Sequence, residues 1–182
     1  MIRKKFPEQG VVSSGYAPQG GGWLGFAFLF FIGFASLQAG YSYCLAEQVR
    51  IVLLRLLALG PSAAVINLFT PWERVVVRNQ LLLSPHAGLA VQKGCDGMEG
   101  FFLLFAAIAA FRTSLRQKVW GVLAGLGIIM VLNITRLVSL YYVLRFEKGA
   151  FGLLHGYLWP GCIVLAGALF FLWWATQQEG ST

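Results

Sequence analysis

Charge is what this sequence has least of. Only 12% of its 182 residues are Asp, Glu, Lys or Arg, about half the share carried by a soluble globular domain. Acids are the scarcer sign, seven against fourteen basic residues, which leaves a net charge of +7. Histidine is nearly absent, at two, and the three cysteines form no CxxC pair. Zinc-ligand spacing is therefore missing, as is the paired-thiol arrangement of an exchange site. There is no GxGxxG and no GxxxxGK[ST] phosphate loop. No metal and no cofactor are expected. The basic residues are not gathered into one aromatic-interleaved patch, so nucleic acid is not an expected partner.

What the chain does have is apolar surface: 58% of it is hydrophobic and the mean hydropathy is +0.70. One membrane domain is expected, and the first question is where the bilayer runs. Four stretches read as crossings, about 23–43, 97–111, 119–142 and 157–174. The second is short, so it borrows residues at its ends or crosses with local thinning. Trp23, Trp120, Tyr141, Tyr142, Trp159, Trp173 and Trp174 mark their ends, as interfacial aromatics do. Basic residues sit between the crossings, as Arg3-Lys4-Lys5 and Arg112, Arg116 and Lys118. In an up-down arrangement both groups fall on one side, which is read as cytoplasmic. Residues 1–22 and 175–182 are then cytoplasmic tails. Residues 23–174 form a single membrane domain with an outer insertion at 44–94. Arg3-Lys4-Lys5 precedes a polar Gly/Pro/Ser stretch, and the apolar run after it is too long for a signal peptide, so the first stretch is kept as an anchor.

Within the insertion, residues 47–59 place apolar side chains at helical spacing, with Arg50 and Arg55 toward one flank. The pattern predicts an amphipathic helix in the interface plane, ended by Gly60-Pro61. Beyond it the period changes. Val75-Val76-Val77, Leu81-Leu82-Leu83 and Leu89-Ala90-Val91 are β-prone runs separated by turn residues, and predict a small outer hairpin or three-stranded meander. The expected fold class is all-α integral membrane: a four-helix transmembrane bundle, an interfacial helix and this small sheet.

Polar residues at membrane depth are costly, so each one needs a reason. Arg136 lies inside the third crossing with no acid on its own helix. It either snorkels to headgroups or faces inward as a cation in a polar cavity, and Asn133, three residues earlier on the same face, favours the inward reading. Cys95 opens the second crossing in QKGCDGMEG. It reads as a buried inert thiol, as half of a disulfide with Cys44, or as a nucleophile activated by a helix N-terminus. His155 opens the fourth crossing, either as an interfacial hydrogen-bonding residue or as a proton-transfer group. Asp96 and Glu99 follow the cysteine. Glu99, one turn below Cys95, pairs with Arg136, orients His155, or caps the helix. His86 is expected exposed in a turn, and Cys162 is expected as packing. Cys95, Arg136 and His155 come from different crossings yet fall at one depth on one side, where a nucleophile, a fixed cation and a base make the parts of acyl transfer.

The order of these motifs, Cys95-Asp96-Gly97, then Asn133-Ile134-Thr135-Arg136, then His155, resembles the exosortase/archaeosortase family over about residues 23–174. The likeness is to its compact single-domain members, such as exosortase H. The resemblance implies a cysteine transpeptidase or protease of the bacterial inner membrane, multi-pass, with its site facing the periplasm. Its implied partners are exported proteins ending in a short motif, a transmembrane helix and a basic tail. It also implies a thioester intermediate and an acceptor, such as a lipid or polysaccharide, for the new carboxyl end. Catalysis falls to Cys95, Arg136 and His155, with Asn133, Asp96 and Glu99 in support. The rival reading is a non-enzymatic membrane subunit of envelope polysaccharide assembly. A thiol oxidoreductase and a channel or transporter fit less well, for want of a CxxC pair and of an inverted repeat.

Overall fold

The computed structural model describes residues 22–44, 46–91 and 96–179. Among these residues the chain is almost entirely helical. Five helices are joined by one small sheet: α1 (Gly22–Cys44), α2 (Glu47–Phe69), α3 (Met98–Ala110), α4 (Leu115–Phe146) and α5 (Lys148–Gln178). Strands β1 (Val76–Arg78), β2 (Leu81–Leu83) and β3 (Gly88–Ala90) form an antiparallel meander in the order β1-β2-β3. Val77 faces Leu82, and Leu82 faces Leu89. The change of period in the sequence at 73–93 thus marks a real sheet.

Four helices are long and apolar enough to cross a membrane, namely α1, α2, α4 and α5. The second stretch is as short as the sequence suggests, and the helix at 47–59 is longer than expected. The apolar stretch at 97–111 yields a helix of only 13 residues, about 20 Å at 1.5 Å per residue, against a hydrocarbon core of about 30 Å. The helix expected over 47–59 continues through Gly60-Pro61 to Phe69. The reason is a π-turn at Arg55–Leu59, where the Gly60 N–H reaches back to the Arg55 carbonyl. The wider turn admits Pro61, whose missing N–H would otherwise break the ladder. A Cβ on residue 60 would stand 2.9 Å from that carbonyl oxygen, so only glycine fits the turn.

α4 is the strut of the molecule. Its N-terminus is closed by a capping box, in which the Ser114 hydroxyl accepts from the Gln117 N–H and the Gln117 side chain accepts from the Ser114 N–H. At 32 residues it is about 48 Å long, well over the hydrocarbon thickness, and it serves two separate cores. Toward its N-terminus, Ile129 packs with Leu104 and Ile108 of α3 and with Ile163, Phe170 and Trp174 of α5. Toward its C-terminus, Leu137, Leu140 and Tyr141 pack with Leu54, Leu59 and Ile66 of α2 and with Val75, Leu82 and Leu89 of the sheet. α1 lies outside the first core against α3 and buries no residue completely.

The second core is pinned by one buried carboxylate. Glu73, 2% exposed, accepts from the Tyr141 hydroxyl at 2.6 Å, from the Ser84 hydroxyl at 3.2 Å and from Arg145 Nε at 3.3 Å, with His86 Nδ1 at 3.2 Å. The Tyr141 hydrogen bond first, then those of Arg145, His86 and Ser84, hold its pKa down to about 2, against the burial that opposes ionisation. His86 is exposed, as its turn position predicts.

Because the folded-state pKa of Glu73 lies below its ordinary value of 4.5, its contribution is complete above that value and is lost as pH falls from about 4.5 toward 2. Thermal unfolding in detergent should show this as a falling midpoint over that window. Glu73→Gln should flatten the window and cost about 2–3 kcal/mol at neutral pH.

Candidate active site

The two cores of α4 meet at the polar residues that the sequence marks as costly. Asn133 and Arg136 lie between Ile129 and Leu137, and both are buried, at 3% and 4% exposed. Arg136 therefore does not reach out to headgroups. It lines a cavity of about 200 Å³ between α1, α3, α4 and α5, together with Phe34, Gly97, Glu99, Pro160 and Val164. Of the two readings of Arg136, the inward-facing cation is the one the packing produces.

His155 arrives from α5 on a π-turn, Leu154–Leu158. Its ring stacks on Phe151, with centroids 5.2 Å apart and planes within 7°. It is half-buried and lies within electrostatic reach of Arg136. Two of the three residues expected to act together thus feel each other electrostatically, although they come from different helices.

Cys95 lies outside the described residues. The chain that follows it is held firmly. Asp96 is 8% exposed, and its carbonyl and both carboxylate oxygens have partners. Its Oδ2 accepts from the Tyr41 hydroxyl at 2.5 Å, its Oδ1 accepts from the Met98 N–H at 3.2 Å, and its carbonyl accepts from Asn133 Nδ2 at 3.0 Å. Gly97 adopts φ +82°, and a Cβ there would stand 2.7 Å from Asn133 Cγ, so the backbone closes on α4 only because this residue is glycine. The Asn133 Oδ1 is buried with no hydrogen-bond partner among the described residues.

Helix α3 begins at Met98, with Gly97 as its N-cap. The expected placement of Glu99 one turn below Cys95 involves a residue outside the described ones. Glu99 is exposed in the first turn, accepts from Gln38 Nε2 at 3.4 Å, and shares the cavity with Arg136. An acid at that position also suits the positive end of α3. Cys44 and Cys162 carry free, exposed thiols. The exposure of Cys162 corrects the expectation that it is packed. No group of three or more His, Cys, Asp or Glu able to hold a metal occurs among the described residues.

No family model, no curated protein and no solved structure matches this chain. The geometry alone carries the functional argument.

Two residues of the site escaped the sequence reading. Tyr41 looks there like one more interfacial aromatic at the end of a crossing, yet it stands on a π-turn, Gly40–Cys44. Arg50 looks like the polar flank of an amphipathic helix, yet it is 3% exposed. Glu47 accepts from its Nε at 3.0 Å and also from its Nη2. The signal available was the Glu47-x-x-Arg50 spacing on an otherwise apolar helix, which pairs a cation in advance for burial.

Gly97→Ala should therefore destabilise the protein by about 1–3 kcal/mol, since the new methyl group strains the backbone and displaces Asn133. Asn133→Ala should cost a similar amount through the bare Asp96 carbonyl. Thermal unfolding of both variants in detergent checks this, and a Gly97→Ala variant as stable as the wild type would contradict the close approach.

Proposed function

We propose that this chain is a membrane-embedded cysteine transpeptidase of the exosortase type, with Cys95 as nucleophile, Arg136 as oxyanion stabiliser and His155 as proton-transfer group. The observation that carries the reading is Arg136. A guanidinium is charged at any accessible pH. Inside the bundle, at the wall of a cavity that also holds Gly97 and Glu99, it is a fixed positive charge suited to stabilise the negative charge that develops on a substrate carbonyl.

In this reading the thiolate attacks the scissile carbonyl of a substrate tail and forms a carbon–sulfur bond. The carbonyl oxygen takes up the electron pair and is stabilised by Arg136. Collapse of the adduct expels the amine, to which His155 delivers a proton, and leaves a thioester. An acceptor nucleophile, deprotonated by His155, then releases the new carboxyl end. Asn133 orients the chain at Asp96. Its unengaged Oδ1 suits a substrate N–H.

The site belongs on the outer face. The basic loop Arg112, Arg116 and Lys118 lies at the opposite end of α4 from Arg136, and basic loops stay in the cytoplasm. Membrane placement of α2 follows from its contacts. Glu47 near its start accepts from Gln80, Arg55 at its middle donates to Asn79, and Asn67 near its end bonds Val75. A helix tied to the same small sheet at its start, middle and end runs along that sheet. An open sheet edge cannot lie in hydrocarbon, so α2 rests at the interface, its exposed Val52, Leu56 and Leu68 toward lipid. The crossings are then α1, α3, α4 and α5, with the bilayer thinned at the short α3. The substrate class is an exported protein with a motif, a helix and a basic tail, and the compartment is the bacterial inner membrane.

Co-expression with such a substrate tests the reading. Cys95→Ala should abolish tail processing. Arg136→Ala should slow it by about 10²–10³-fold and His155→Ala by about 10²–10⁴-fold. Processing at full rate by Cys95→Ala would leave the chain as a membrane subunit without this chemistry.

A further inference from the structure

At the opposite end of α4 from Arg136, the start of α4 and the end of α5 form a second polar place on the molecule. Both helices are long and apolar enough to cross a membrane. They are locked together there, because Trp174 of α5 is buried against Gly121 of α4, where a Cβ would stand 2.7 Å from the indole. Beside that contact the two helices leave a groove of about 510 Å³, within the range of small-molecule sites. Arg116 and Trp120 line it from α4, and Trp173 and Gln177 line it from α5. On each helix these residues stand four apart and so share one face. Continuing the same stripes inward brings Ala124 on α4 and Leu169 on α5, both exposed. The two faces therefore read alike from the end of the bundle toward its middle: a polar residue, then an indole, then an aliphatic side chain.

Charge decides the sign of the ligand. The Arg116 guanidinium has no ion-pair or hydrogen-bond partner among the described residues, and none of the described residues lining the groove is acidic. The nearby cations are committed elsewhere: Lys118 turns toward α3 and donates to the Ala109 carbonyl, and Arg112 lines a different groove between α1 and α3. The groove also adjoins the positive end of a 32-residue helix that carries no acid in its first turn. An anionic group suits this corner. The indoles below it are 65% and 60% exposed, as they are where headgroups meet hydrocarbon. The exposed aliphatic residues deeper in match an anion carried on acyl chains rather than a soluble one. We propose that this groove binds an anionic phospholipid, with its phosphate on Arg116, its glycerol backbone between Trp120 and Trp173, and an acyl chain along Ala124 and Leu169. The site is independent of the chemistry assigned to the other end of α4.

The test uses the full chain in phosphatidylcholine vesicles, to which phosphatidylglycerol with brominated acyl chains is added in increasing amounts. Bromine quenches the fluorescence of indoles beside it. Quenching of the wild type should saturate at a lower mole fraction of brominated phosphatidylglycerol than of brominated phosphatidylcholine. Arg116→Ala should move that saturation to about fivefold more phosphatidylglycerol. Arg112→Ala removes the same charge from the same loop and should leave it where it was. Trp120→Phe/Trp173→Phe should lose most of the saturable quenching, which puts the lipid between those two side chains. Excess soluble glycerol phosphate should not displace the lipid. Equal quenching by the two lipids overturns the proposal. So does an equal shift in Arg112→Ala, the mark of a diffuse attraction to basic charge. Undiminished saturable quenching in the double tryptophan variant places the lipid elsewhere and overturns it as well. Displacement by glycerol phosphate would show that the groove takes a free phosphate, and the lipid assignment would be wrong.

Discussion

The burial of Arg136 is the constraint around which the rest of the molecule is arranged. A guanidinium on a membrane helix has two ways to avoid the cost of hydrocarbon: extend to the headgroups, or be enclosed by protein. Enclosure is the outcome here, and it needs walls on all sides. α3 and α5 supply them from one core, while α2 and the sheet seal the strut just beyond it through the other. α4 runs through both, and its polar pair Asn133 and Arg136 sits at their seam. α2 and the sheet are therefore part of the site, because without them the C-terminal third of α4 would leave the seam open.

The same seam explains why so much backbone irregularity gathers there. The three π-turns among the described residues, Gly40–Cys44, Arg55–Leu59 and Leu154–Leu158, lie in α1, α2 and α5. The first carries Tyr41 and the third carries His155. A π-turn widens the ladder by one residue and re-aims the side chains that follow. Glycine stands in or directly after each of them, as Gly40, Gly60 and Gly156. Regular helices would present side chains in fixed stripes. The wide turns let residues from three peripheral helices converge on a pair held by the central one.

Much of this was legible in the sequence, because the signals were local. The long apolar runs, the β-prone runs of the meander and the inward pull of Asn133 on Arg136 all follow from composition and spacing. What was not legible depended on tertiary partners. Gly60-Pro61 reads as a stop signal, and it becomes passable only because the turn before it is π. Arg50 reads as solvated until Glu47 and Tyr41 are seen around it. In each case a short motif with an ordinary local meaning was overridden by a contact from elsewhere in the chain.

The short α3 has a consequence for how such a site would work. Its about 20 Å of helix begin at the level of Asn133 and end at the Lys118 side chain, which caps the Ala109 carbonyl at 2.6 Å. That end is fixed by the basic loop, so any shortfall against the bilayer falls at the other end, where Asp96, Gly97 and Arg136 lie. In the proposed arrangement of crossings, water and headgroups are drawn down to the site there, while the apolar faces of α1 and α5 remain in lipid. A peptide bond just outside a substrate's membrane helix would then meet Arg136 at the boundary where water thins out. An electrostatic stabiliser is stronger at that boundary than in bulk solvent, and an acceptor can still reach it. The placement of one buried cation and the shortness of one helix are, on this view, the same adaptation.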